Sequence, residues 1–150
     1  MITQKWVIFF IKNMINYIKE VNREVDVFYN NEVMHYNGYE TILSILCKKH
    51  LVKYDYYKKR IYELFKIKKN APIFLSSNLL LIKLSLSDID YYINYQAILY
   101  SGISKGKVMI IFNNGEFLSL NIGENIMKES YKRASIILDY FTYLNTKYYN

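Results

Sequence analysis

Apolar and polar positions alternate in rhythm along this chain, and the rhythm changes several times. Val7, Ile11, Met14, Ile15 and Ile18 recur at i, i+4, i+7, i+8 and i+11. That spacing predicts a helix with Lys12, Asn13 and Lys19 off its apolar stripe. Two short strand-like runs follow at 25–29 and 32–36. Asn30-Asn31 lies between them and Asn37-Gly38 comes after, residues suited to the positive φ of hairpin turns. From 40 to about 50, Ile42, Ile45 and Leu46 predict a second helix. A third covers 54–67, with Tyr54, Tyr57, Ile61, Leu64 and Phe65 on one side and Lys59 and Lys66 near the opposite pole.

Pro72 is the only proline, and it ends helix and pushes Ala71 toward extended backbone. Strands are then expected at 73–75, 79–86, 91–95, 108–112 and 116–120. Ser76-Ser77-Asn78 and Asn113-Asn114-Gly115 read as turns between them. The stretch 101–106, with Gly102 and Gly106, reads as loop. A last helix is expected from about 124 to 145, its stripe made by Met127, Tyr131, Ala134, Leu138 and Phe141, with Ile137 and Leu144 beside it. No internal repeat or Pro/Gly/Ser-rich linker divides the chain. The expected fold is a single α+β domain over residues 1–150, mainly antiparallel sheet with N-terminal, central and long C-terminal helices.

The chain has 150 residues, 52% of them hydrophobic, enough for a sizeable core. Its longest early apolar run, 6–11, is bounded by Lys5 and Lys12. A spanning helix needs about 20 apolar residues, and a secretory signal needs an apolar stretch of roughly 7–15 before a small-residue cleavage site. A soluble, cytoplasmic protein with no membrane partner is expected. The single cysteine, Cys47, allows no intramolecular disulfide and no Cys-rich zinc site.

The net charge is +7, but composition alone overstates its meaning. Tyr, Ile, Lys, Asn and Phe all have AT-rich codons, so an AT-rich genome raises them together. Location is more informative. Residues 48–69 hold nine basic and two acidic side chains, a surplus equal to that of the whole protein. The rest of the chain nearly balances. Two readings fit: an anion-docking surface, or a solvated helix face that keeps an aromatic-rich segment in solution.

Catalytic constellations are weak. The five glycines are scattered and none opens a phosphate loop. His35 and His50 lack partners at metal-ligand spacing, and His50 beside Lys48 and Lys49 is expected on the cationic surface or facing water. Cys47 reads as a buried structural thiol. Asp88 and Asp90 read as turn chemistry. Core packing accounts for the tyrosine pairs Tyr56-Tyr57, Tyr91-Tyr92 and Tyr148-Tyr149 as well as base stacking does. No enzyme activity, metal or cofactor is expected.

Several local matches appear in order. Ile67-Lys68-Lys69-Asn70-Ala71-Pro72-Ile73 enters the sheet, followed by Tyr91-Tyr92-Ile93-Asn94-Tyr95 with Ile98. Phe112-Asn113-Asn114-Gly115 comes next with Leu118 and Leu120, then Lys132-Arg133-Ala134. With these segments the chain resembles the ComK competence transcription factors of low-GC Gram-positive bacteria across about 25–138. It departs from them at Lys83-Leu84-Ser85, where the family has a Phe-Pro-Thr step.

The resemblance implies a nucleoid-associated transcriptional activator of DNA-uptake genes that binds paired A/T-rich boxes through the minor groove. It further implies self-association on DNA and regulated proteolysis through an adaptor protein. The residues expected to meet DNA are Lys48, Lys49, Lys53, Lys58, Lys59, Arg60, Lys66, Lys68 and Lys69. Arg133 is added to them, with a structural ion pair as its alternative reading. The competing function is a non-enzymatic interaction module whose basic face binds an acidic protein or an anionic surface.

Overall fold

The computed structural model describes residues 14–38 and 40–149. Among the described residues, nine strands form two antiparallel sheets. The larger has the order β3-β2-β1-β6-β5-β4 and the smaller β7-β8-β9. The strands of the larger sheet are β1 Tyr17–Val21, β2 Glu24–Tyr29, β3 Glu32–Asn37, β4 Ile73–Ser76, β5 Leu79–Leu86 and β6 Ile89–Asn94. Those of the smaller are β7 Ile98–Ser104, β8 Lys107–Phe112 and β9 Phe117–Leu120. Three α-helices are described, α1 Ile42–Lys49, α2 Tyr54–Phe65 and α3 Glu124–Tyr149, with one turn of 3-10 helix at Tyr95–Ala97. The α+β architecture with mainly antiparallel sheet is as expected.

The larger sheet is covered on both faces. Register places Ile18, Val25, Val27, Leu81 and Tyr92 on one face, all buried. Helices α1 and α2 cover it. The Ile42 N–H donates to Glu20 Oε2 at 2.6 Å, and Tyr57 Oη donates to the Pro72 carbonyl at 2.5 Å while accepting from the Phe74 N–H at 3.0 Å. The opposite face carries Tyr17, Leu80, Ile82, Leu84 and Ile93. It meets the smaller sheet through Tyr17 and Phe112, whose rings lie 5.6 Å apart.

Helix α3 packs on β4, β5 and β8, burying Met127, Ala134 and Ile137. Its later turns pass the β4 edge and reach α2. Phe141 stacks on Phe74 at 4.5 Å and on Tyr57 at 6.2 Å, and Tyr140 meets Phe65 edge-on at 5.5 Å. One helix therefore closes both sheets and shields an otherwise open edge.

Two buried asparagines sew the segments together. Asn94 donates to the carbonyls of Ile15 and Asn78, each at 2.8 Å, and accepts from the N–H groups of Leu80 and Gln96, each at 3.2 Å. Asn16 donates to Asn114 Oδ1 and Glu116 Oε1 at 3.0 and 2.8 Å, joining the start of the larger sheet to the β8–β9 turn.

Three expectations need correction. The N-terminal helical stripe lies outside the described residues up to position 13, and its continuation through Ile18 is strand β1. A strand covered on both faces buries consecutive residues, here Tyr17 and Ile18, and so loses the alternation that identifies a strand. Residues 101–104 belong to β7, not to a loop, and only Lys105 and Gly106 form the turn, at φ 53° and 76°. The third helix stops at Phe65, because Lys66 adopts the left-handed region at φ 60° and its N–H closes onto the Tyr62 carbonyl at 2.8 Å.

Candidate nucleic-acid interface

Helix α2 organises the basic segment. Tyr57 and Ile61 are buried one turn apart and set its inward direction. At about 100° per residue, the consecutive cations Lys58, Lys59 and Arg60 must fan around some 200° of the circumference. They cannot face one surface together. Lys58 lies over the Tyr54 ring at 5.3 Å, while Lys59 is exposed without an ion pair among the described residues. Arg60 Nη1 reaches Glu63 Oε2 at 2.8 Å.

Lys66 and Lys68 converge on one ring. Their ammonium groups lie 5.3 and 5.5 Å from the centroid of Tyr62, which stands four residues from Lys58 on the same side of α2. The electron-rich ring face holds both charges without neutralising them. Lys58, Lys66 and Lys68 thus gather along one flank, with Lys59 next to Lys58 on the exposed side of the helix and Asp55 and Glu63 as the nearby acids.

The other expected residues fall elsewhere. Lys48 and Lys49 stand in the last turn of α1, where cations complement the helix dipole. Lys48 Nζ binds Glu40 Oε1 at 2.7 Å, and that hydrogen bond holds the Glu40 carboxyl below its usual range. Lys53 is the N-cap of α2 and lines, with Arg60, an apolar groove of about 280 Å3 between α2 and α3. Arg133 donates from Nε to Glu129 at 3.3 Å and from Nη1 to the Lys69 carbonyl at 3.4 Å, so the ion pair given as its alternative reading is present. The ten residues do not fall in one group: Lys58, Lys59, Lys66 and Lys68 lie on α2 and the segment after it, while Lys48, Arg60 and Arg133 are each bonded to an acid.

His50 also departs from expectation. Its Nε2 is buried with no hydrogen-bond partner among the described residues. Burial pushes its pKa below the ordinary value, and Lys49 adds to the effect, so the ring is neutral at pH 7. It adds nothing to the cationic surface. His35 Nδ1 pairs with Asp26 Oδ1 across the β2–β3 ladder. Cys47 is buried and burial raises its thiol pKa, which makes it unreactive. No group of three metal-ligating side chains occurs among the described residues. No helix among them is long and apolar enough to cross a membrane.

One cation escaped the linear count. Lys83 sits in the middle of β5 opposite Tyr92, with its ammonium 5.8 Å from that ring. It shares a cleft with Lys69 and Arg133. The available signal was a lone lysine in the otherwise uncharged run Leu79-Leu80-Leu81-Ile82-Lys83-Leu84-Ser85-Leu86.

No family model, curated protein or solved structure matches this chain. The likeness to ComK therefore rests on the residues quoted for it.

Proposed function

We propose that this protein is a ComK-like DNA-binding activator that docks A/T-rich duplex through the α2 flank and the segment following it. The observation that carries the reading is the grouping of Lys58, Lys66 and Lys68 on the rings of Tyr54 and Tyr62, with Lys59 exposed beside Lys58 on the helix, none of the four having an ion-pair partner among the described residues. Such lysines neutralise phosphates and release condensed counterions, which gives affinity that falls steeply with salt. Preference for A/T tracts then comes from the narrow, electronegative minor groove. On this reading the protein works in the cytoplasm on the nucleoid, assembles with further copies on its boxes, and catalyses no reaction.

The test is a mobility-shift titration across a salt series on an A/T-box duplex and a GC-rich duplex. Tighter binding to the first, weakened by a minor-groove drug, is expected. Equal binding to both would remove the ComK-like reading.

One observation favours a second function. The groove between α2 and α3 is walled by Tyr56, Leu64, Phe141 and Leu144 and flanked by Lys53 and Arg60. Leu51 stands at its end, 92% exposed and at φ 58°. An acidic amphipathic peptide would satisfy both the apolar floor and the cationic rim. Saturable binding of such a peptide together with absent DNA binding would favour this function over the first.

A further inference from the structure

A cleft of about 380 Å3 opens where the segment after α2, strand β5 and the first turns of α3 meet. Three cationic residues from distant parts of the chain line it: Lys69, Lys83 and Arg133. Among the described residues the lining holds one acid, Glu129, which leaves a formal surplus of two positive charges there. Lys69 and Lys83 have no ion pair among the described residues. Lys83 also lies within electrostatic reach of the Glu20 carboxylate, which shares its sheet face and stands outside the cleft lining.

The guanidinium is fixed before any ligand arrives. Glu129 holds Nε and the Lys69 carbonyl holds Nη1, while Nη2 has no partner among the described residues. Asn70 and Asn125 add side-chain amides that are likewise unpartnered among those residues. Lys83 differs from the solvated lysines of α2 because it projects from the middle of a strand and is only partly exposed. A planar donor held in place, two ammonium groups and two amides match the needs of a tetrahedral oxyanion.

We propose that this cleft is a phosphate seat, and that it prefers a doubly charged phosphate monoester to a singly charged diester. The surplus of two charges sets that preference, since each further ligand charge gains attraction from the same fixed cations. The inference does not rest on the DNA-binding reading, because it concerns the small anion alone and turns on Lys83, which that reading does not use, although Lys69 and Arg133 are also among the residues expected to meet DNA.

The test is a series of amide NMR titrations of the full chain with inorganic phosphate, glycerol phosphate and dimethyl phosphate. Ionic strength is held constant with chloride and no DNA is present. Saturable shifts are expected at Asn70, Asn125 and Glu129, with the monoester binding about threefold or more tighter than the diester. Lys83→Met, which keeps the aliphatic stem, should weaken phosphate about tenfold, and so should Lys69→Gln at its exposed position. Unchanged binding in both variants would overturn the proposal. So would shifts spread equally over Lys58, Lys59 and Lys105, or shifts reproduced by chloride. Dimethyl phosphate binding as tightly as phosphate would overturn the monoester preference and identify a seat for a nucleic-acid backbone.

Discussion

Glu20 is 6% exposed and accepts the Ile42 N–H at the start of α1, so its charge is held in a poor solvent. Burial pushes its carboxyl above the ordinary value of 4.5, with Asp90 adding to the rise and the Ile42 hydrogen bond, Lys83 and Arg23 opposing it. The folded protein therefore binds this proton more tightly than the unfolded chain. The resulting stabilisation is complete below the unfolded value and is lost as pH rises through the raised one. Glu20→Gln keeps an acceptor for Ile42 and removes the titration. In urea denaturation from about pH 4 to 8, the parent should lose stability relative to the variant as pH rises. A constant difference would mean that Glu20 titrates normally. Asn94 is a stronger single point, with all four of its side-chain hydrogen bonds made to backbone groups. Asn94→Ala should cost about 3 kcal/mol or more, read as a lower urea midpoint, because buried backbone groups lose their partners.

Elements show where pattern reading works and where it fails. Asn30 and Asn31 take φ 46° and 59°, the left-handed pair that an Asn-Asn hairpin turn suggests, and β2 and β3 flank them as expected. The turn before β2 uses Asn22 and Arg23 at φ 50° and 67°. An arginine there carries no turn signal, which concealed β1 together with its two-sided burial. Strand β7 was concealed for another reason. Gly102 lies beneath the Tyr100 ring, and a Cβ would come within 2.7 Å of the Tyr100 hydroxyl oxygen, so this glycine serves an aromatic crossing within a strand. Helix α3 was legible because its apolar stripe runs along the face it buries. The end of α2 offers a prediction that separates folding from binding. Lys66 occupies a left-handed position where glycine is preferred, so Lys66→Gly should raise stability by about 0.5–1 kcal/mol in denaturation. The same change should weaken DNA binding, since it removes one of the four flank lysines.

At the scale of the molecule, charge has to be counted in space. The sequence located the surplus in 48–69, and that much of the site was legible. It could not show that Glu40 would claim Lys48, that Glu129 would claim Arg133, or that Lys83 on β5 would line the same cleft as Lys69. These pairings depend on tertiary approach, which a linear window does not contain. If the flank meets DNA, replacing Lys58, Lys59, Lys66 and Lys68 with alanine should flatten the logarithmic salt slope by about 0.9 for each lost phosphate contact. Lys48→Ala, which removes an already paired cation, should leave that slope nearly unchanged in the same shift titration. The 26-residue span of α3 bears on how the protein comes into being. Ribosomes add about 5–20 residues per second, so translating this span takes on the order of seconds. Throughout that interval β4, β5 and β8 are already made but lack their cover, and a nascent chain stalled there would offer bare strands to its neighbours on a polysome.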